Sequence, residues 1–189
     1  MKRFPSSQAG LTLVEMLVAL VVFSLLVGSI GGILFSAMRA ERSTATLQNV
    51  VGEASFITEY MSRALRMAQK NTDGSACLGA NENYELTGVG MGTGIRFLDK
   101  DGRCRYISWN EGAGRIQEEV DGGAASFLTS DNLSVESFGV KLLGESQEDY
   151  LQPRVTFTLT LRGQGSPEEE RVEVSLQTSV SQRNIDVRK

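Results

Sequence analysis

The chain has 189 residues, with 19 Lys and Arg against 23 Asp and Glu, a formal net charge of -4 and no histidine. That composition excludes histidine-based triads, histidine metal ligands and a histidine general base. The acidic balance leaves no electrostatic footprint for nucleic acid. Two cysteines, Cys77 and Cys104, are too few for a four-thiolate zinc site, and the length allows one domain with an appendage.

Apolar residues gather at the N-terminus. Met16 to Met38 is a run of 23 residues without a charge. At about 1.5 Å per residue it makes roughly 34 Å of helix, enough for a hydrocarbon core of about 30 Å. Lys2 and Arg3 precede it. The positive-inside tendency places that end in the cytoplasm and the rest of the chain outside. A cleaved secretory signal fits poorly, because its apolar region is shorter and a small-residue cleavage site follows it. Here the small residues Ala9-Gly10 come before the run. A plain signal anchor explains length and orientation but not Glu15. A carboxylate within a span costs about 2.5–3.5 kcal/mol on insertion scales, which suggests a function with a partner.

Gly10-Leu11-Thr12-Leu13-Val14-Glu15, followed by Met16-Leu17-Val18-Ala19-Leu20, resembles the class III signal of type IV pilins and type II secretion pseudopilins. Such signals have a short basic leader, a glycine, a hydrophobic residue and a glutamate fifth after the cut. Leu11 departs mildly from the usual phenylalanine. The resemblance implies cleavage between Gly10 and Leu11 by a membrane prepilin peptidase, which usually also methylates the new Leu11 amine. It further implies that Glu15 pairs with the N-terminal amine of a neighbouring subunit during assembly.

After Arg39 the helical pattern becomes amphipathic. Leu47, Val50, Val51, Ala54, Ile57, Met61, Ala64, Leu65 and Ala68 recur at three- and four-residue steps. Asn71-Thr72-Asp73-Gly74 supplies a stop signal. The helix is therefore expected from Leu11 to about Lys70. Gly28, Gly31 and Gly32 are weak points in it, read either as close packing of small residues or, by family analogy, as a place of local unwinding in a filament.

From residue 71 onward, alternating strand patterns stand between turn signals. Ile95–Leu98, Arg103–Trp109, Arg115–Val120, Ser134–Val140, Arg154–Leu161 and Arg171–Gln177 are the expected strands, with Asp99-Lys100-Asp101-Gly102 as a hairpin turn. One long helix followed by antiparallel strands predicts an α+β fold, with the amphipathic half-helix covering one sheet face, and it is similar to a pilin. The expected segments are a leader at 1–10, a transmembrane or filament-core helix at 11–38, an amphipathic half-helix at 39–70 and an extracytoplasmic β-rich region at 71–189. Residues 39–189 would form one globular domain. The tail through Leu176–Asn184 resembles, more loosely, that of J-like or H-like minor pseudopilins. Glu15 argues against the K-like tip class.

Cys77 and Cys104 fall outside the membrane in this topology, where disulfides persist, and a Cys77–Cys104 disulfide is expected. The alternative is two free, buried thiols. The Asp99–Gly102 segment fails the spacing of a calcium loop, since Arg103 and Arg105 occupy ligand places. Glu145, Glu148 and Asp149 lie in one acidic loop and are the remaining calcium candidates. Glu168-Glu169-Glu170 reads as a solvated turn. Neither a catalytic residue nor a cofactor is expected. The function expected is that of a minor pilin-like structural subunit that joins or primes a filament in type II secretion. Its partners would be the prepilin peptidase and other pilins or pseudopilins, with a membrane but no nucleic acid. The alternatives are a minor pilin of a type IV or DNA-uptake pilus, and a membrane-tethered binding module.

Overall fold

The computed structural model of the protein describes residues 10–72, 74, 76–88, 93–145, 151–163 and 172–183. The architecture is α+β and pilin-like: one long helix, α1 (Leu13–Arg66), and antiparallel sheets. The chain divides into two compact units, Met1–Thr44 and Ala45–Lys189.

In the first unit the helix is apolar all round from Met16 to Met38. Its large apolar side chains are exposed, from Met38 at 49% to Leu13 at 79%. The hydroxyls of Ser24 and Ser29 donate to the carbonyls of Leu20 and Leu25, each at 2.8 Å. These bonds satisfy the only side-chain hydroxyls between Met16 and Phe35 inside the helix itself, as an apolar surround requires. The helix runs unbroken through Gly28, Gly31 and Gly32 and is long and apolar enough to cross a membrane.

The second unit contains a five-stranded sheet of β1 (Tyr84–Thr87), β2 (Gly94–Leu98), β3 (Cys104–Asn110), β4 (Arg115–Val120) and β5 (Ser126–Phe127), in that order. A three-stranded sheet follows: β6 (Leu133–Leu143), β7 (Arg154–Gly163) and β8 (Glu173–Ser181). The helix packs on both. The Tyr84 hydroxyl of β1 donates to the Leu65 carbonyl at 2.7 Å, and the Arg183 amide after β8 donates to the Arg66 carbonyl at 2.8 Å. At the other end of β7, a Cβ on Gly163 would lie 2.6 Å from Thr46 Cγ2. Only glycine lets helix and strand approach that closely.

The core joins the helix stripe Val50, Ala54, Ile57, Met61, Leu65 and Ala68 to inward residues of both sheets, among them Phe97, Ile107, Phe157 and Leu159. Leu47 and Val51, expected in that stripe, are 42% and 44% exposed instead. The buried face is narrower than the apolar pattern. The helix also stops at Arg66, short of Lys70, because the Gln69 amide turns away to the Leu98 carbonyl at 2.9 Å. The expected single sheet is two sheets. β1 and β5 were not expected; they are four and two residues long, too short to show a periodic pattern. β6 outruns its expected length by one residue before Ser134 and three after Val140, and it contains a bulge between Val135 and Ser137. β8 starts at Glu173 and reaches Ser181, two residues later and four further than expected.

Candidate functional site

The first turn of α1 carries the residues singled out for processing and assembly. Thr12 precedes the helix, and its Oγ1 accepts the Glu15 amide at 3.3 Å, while its carbonyl accepts the Met16 amide at 3.2 Å. Thr12 is therefore the N-cap, and Thr12-Leu13-Val14-Glu15 has the spacing of a capping box. The cap could have been read from the sequence by that spacing. Its consequence is geometric: the cap fixes where the helix starts and so which way Glu15 points. Glu15 lies at the head of a shallow apolar groove along one helix face, with Val18, Ala19, Val22, Phe23 and Leu26. A carboxylate beside a helix N-terminus also gains from the helix dipole. Gly10 has open space where a side chain would stand, and Leu11 is 71% exposed. Lys2 and Arg3 lie outside the described residues.

In the second unit, Cys77 and Cys104 form a disulfide across 27 positions, with Cα atoms 5.5 Å apart. It ties the segment after the helix to the start of β3 and excludes the free-thiol alternative. That segment folds around Asn71, whose side-chain amide donates to the Leu78 carbonyl at 2.7 Å.

The Asp99 turn is the expected hairpin between β2 and β3. Asp99 Oδ1 accepts the amides of Asp101 and Arg103 at 2.8 and 3.0 Å, and Gly102 takes a positive φ of 76°. From the sequence, Arg105 is expected only as a residue of the Arg103–Trp109 strand. It forms the centre of a half-buried network instead. Its guanidinium donates to Asp99 at 2.9 Å, to Glu118 at 3.0 Å and to the Tyr60 hydroxyl at 2.9 Å. Tyr60 donates to Glu118 at 2.7 Å, which stitches the helix to β4. Burial works against the charge on Asp99, but bonds from the Arg103 amide, the Arg105 guanidinium and the Asp101 amide outweigh it and hold the carboxyl below its ordinary range. Burial likewise opposes the charge on Arg105, and Asp99 and Glu118 more than restore it.

Of the acidic-loop candidates, Glu145 is described, whereas Glu148 and Asp149 lie outside the described residues, as do Glu168, Glu169 and Glu170. Burial raises the Glu145 carboxyl above its ordinary range, and Glu82 and Glu85 push it the same way. Among the described residues, no group of three or more Cys, Asp or Glu side chains has an arrangement that could hold a metal ion.

Residues 5–31 match the family model of the prokaryotic N-terminal methylation motif. No curated protein and no solved structure matches the chain. The motif implies processing by a prepilin peptidase and assembly with other pilins. With a class III signal leading into one long apolar helix, and antiparallel sheets packed on the second part of that helix, the chain is type IV pilin-like.

Proposed function

We propose that this protein is a minor pilin-like structural subunit, rather than an enzyme, and that it joins or primes a filament serving type II protein secretion. One observation carries the reading as a filament subunit, which a secretion filament and a pilus share. Glu15 is the single charge between Gly10 and Met38, and it stands exposed in the first turn of an otherwise apolar helix. Cleavage after Gly10 creates a cation, the Leu11 amine, four residues away. Glu15 of an incoming chain then pairs with the amine of a neighbour and sets the axial register. In a low-dielectric surround such a pair is strong when formed and costly when one partner is missing. The chain waits in the membrane through its apolar helix, with the β-rich unit on the outer side.

The test scores processing and assembly separately in the same cells. Gly10→Val should block cleavage, leaving a mature protein that begins at Met1. Glu15→Leu should leave insertion and cleavage intact, with Leu11 first and methylated by mass spectrometry. Its co-purification with other pilin-like chains should fall about tenfold or more, a loss expected when one partner of a buried pair is removed. Wild-type assembly by Glu15→Leu would overturn the reading and favour a tethered binding module. Deletion should stop exoprotein export; loss of pilus retraction or DNA uptake instead would assign the subunit to a pilus.

A further inference from the structure

β8 is the outer strand of its sheet, hydrogen-bonded to β7 on one side and to no strand among the described residues on the other. Which backbone groups it leaves open follows from the register. The Gly163 amide donates to the Val172 carbonyl at 3.0 Å, and the Gln182 amide to the Pro153 carbonyl at 3.3 Å. The β7–β8 partners keep step between those two pairs. Bonded and non-bonded pairs alternate in an antiparallel ladder. Val174, Leu176, Thr178 and Val180 therefore turn their backbone groups to β7. Glu173, Ser175, Gln177, Ser179 and Ser181 turn theirs to the open edge. This edge is nine residues long and contains no proline, no lysine and no register shift. Those are the usual devices that keep a sheet edge from pairing.

Beside the edge runs a groove between β8 and the helix whose lining includes Val51, Ser55, Thr58, Ser62, Val174 and Leu176, with one charged residue, Glu59, which is paired with Arg63. Exposed Val51 and short Ser and Thr side chains leave room there for apolar side chains at every second position of an added strand.

The occupant is narrowed by direction and area. β8 runs in the same sense as its helix: Gly163, the partner of Val172, lies against Thr46 and Val50, and Arg183 bonds Arg66. Two copies paired antiparallel through β8 would run their helices in opposite senses, which chains inserted the same way in one membrane cannot do. The remaining edges of a second copy offer little. β1 and β5 have four and two residues, and β6 is held to the β3–β4 turn by the Val135 amide on the Gly114 carbonyl at 2.7 Å. Nine residues make an edge about 30 Å long and roughly 10 Å deep, or about 300 Å² a side. A standard stable interface needs about 800 Å² a side. The edge can thus hold only a partner already held nearby by another contact, as a helix packed in the same membrane or filament provides.

Resting on the reading of the chain as a filament subunit, we propose that the open edge of β8 and its groove receive an extended strand of a different pilin-like subunit, antiparallel to β8. The backbone of the odd-numbered residues gives the bonds, and the groove selects apolar residues at alternate positions.

The experiment uses the full chain in membranes, co-expressed with each chain of the same genome that carries the N-terminal methylation motif. A photoactivatable benzoylphenylalanine at Ser181 should cross-link to an extended segment of one such chain, located by sequencing the joined peptides. The same probe at Lys141 of β6 should not. Gln177→Pro removes an open-edge amide that β7 does not use, and the cross-link should fall about tenfold. Ser55→Trp fills the groove from the helix without changing any strand residue and should give the same loss, so it decides the matter if the proline variant fails to accumulate. Cross-linking to a second copy of this chain, or unchanged yield in Ser55→Trp, overturns the docking edge. If Glu15→Leu abolishes assembly while Ser55→Trp leaves the cross-link unchanged, the edge fails and the subunit reading stands. If Glu15→Leu assembles normally, the subunit reading fails.

Discussion

The two parts of α1 share one backbone conformation and opposite surroundings. In the first unit Leu17, Leu20, Phe23 and Ile30 are all more than half exposed. In the second, Ile57, Met61 and Leu65 are fully buried. The difference lies in the pattern. An all-round apolar helix has no polar face to offer water and needs an apolar solvent or other helices. A single stripe needs one partner surface, and the chain supplies it with its own two sheets. The first part is thus built to be completed by something outside the chain, and the second is completed within it. Glu15 and the β8 edge follow the same logic: each is a group that the fold leaves without a mate among the described residues.

Breaking the internal half should give the largest loss of stability. In a fragment beginning at Arg39, which keeps the stripe and all the strands, Ile57→Ala should cost about 2–5 kcal/mol in denaturant unfolding, the range for truncating a buried aliphatic side chain. Leu20→Ala in the full chain should leave the unfolding of the β-rich unit unchanged. If both substitutions destabilise that unit equally, the division between the two parts is wrong.

The disulfide sharpens the comparison within the second unit, because it fastens the segment that follows the helix. Replacing Cys77 and Cys104 together by Ser should lower stability by about 3–4 kcal/mol, the entropy of opening a loop of this length. In the unreduced native fragment both sulfurs should resist alkylation. Rapid labelling before reduction would refute the bridge.

The smallest effects are in the pH profile, and they have opposite signs. Asp99 is held below its ordinary range in the folded chain, so its contribution is present above the unfolded value and is lost as pH falls through the folded one. Asp99→Asn should flatten the acid limb of the stability curve. Glu145 is raised by burial and then by Glu82 and Glu85, so its contribution is present below the unfolded value and is lost as pH rises through the folded one. Glu145→Gln should therefore stabilise the unit at neutral pH and do little in acid. Stability against pH for both variants checks the two signs together.

What the sequence determined by itself was local and periodic. The uninterrupted apolar run, Gly10, Glu15 and the later stripe are written along one stretch of chain. The helix follows from them, because its hydrogen bonds join residues four apart. The Asp99–Gly102 turn was legible for the same reason: its bonds close within five residues. Tertiary structure alone decided what joins distant residues. It separated the strands into two sheets and stopped the helix at Arg66 by drawing Gln69 to Leu98. It brought Tyr60, Asp99, Arg105 and Glu118 into one network across 58 positions. It also left Leu47 and Val51 outside the core, because the sheets reach only part of the apolar face. The open edge of β8 belongs to the same class. A strand's sequence shows which side chains alternate, but which of its backbone groups remain unpaired depends on the neighbour it is given.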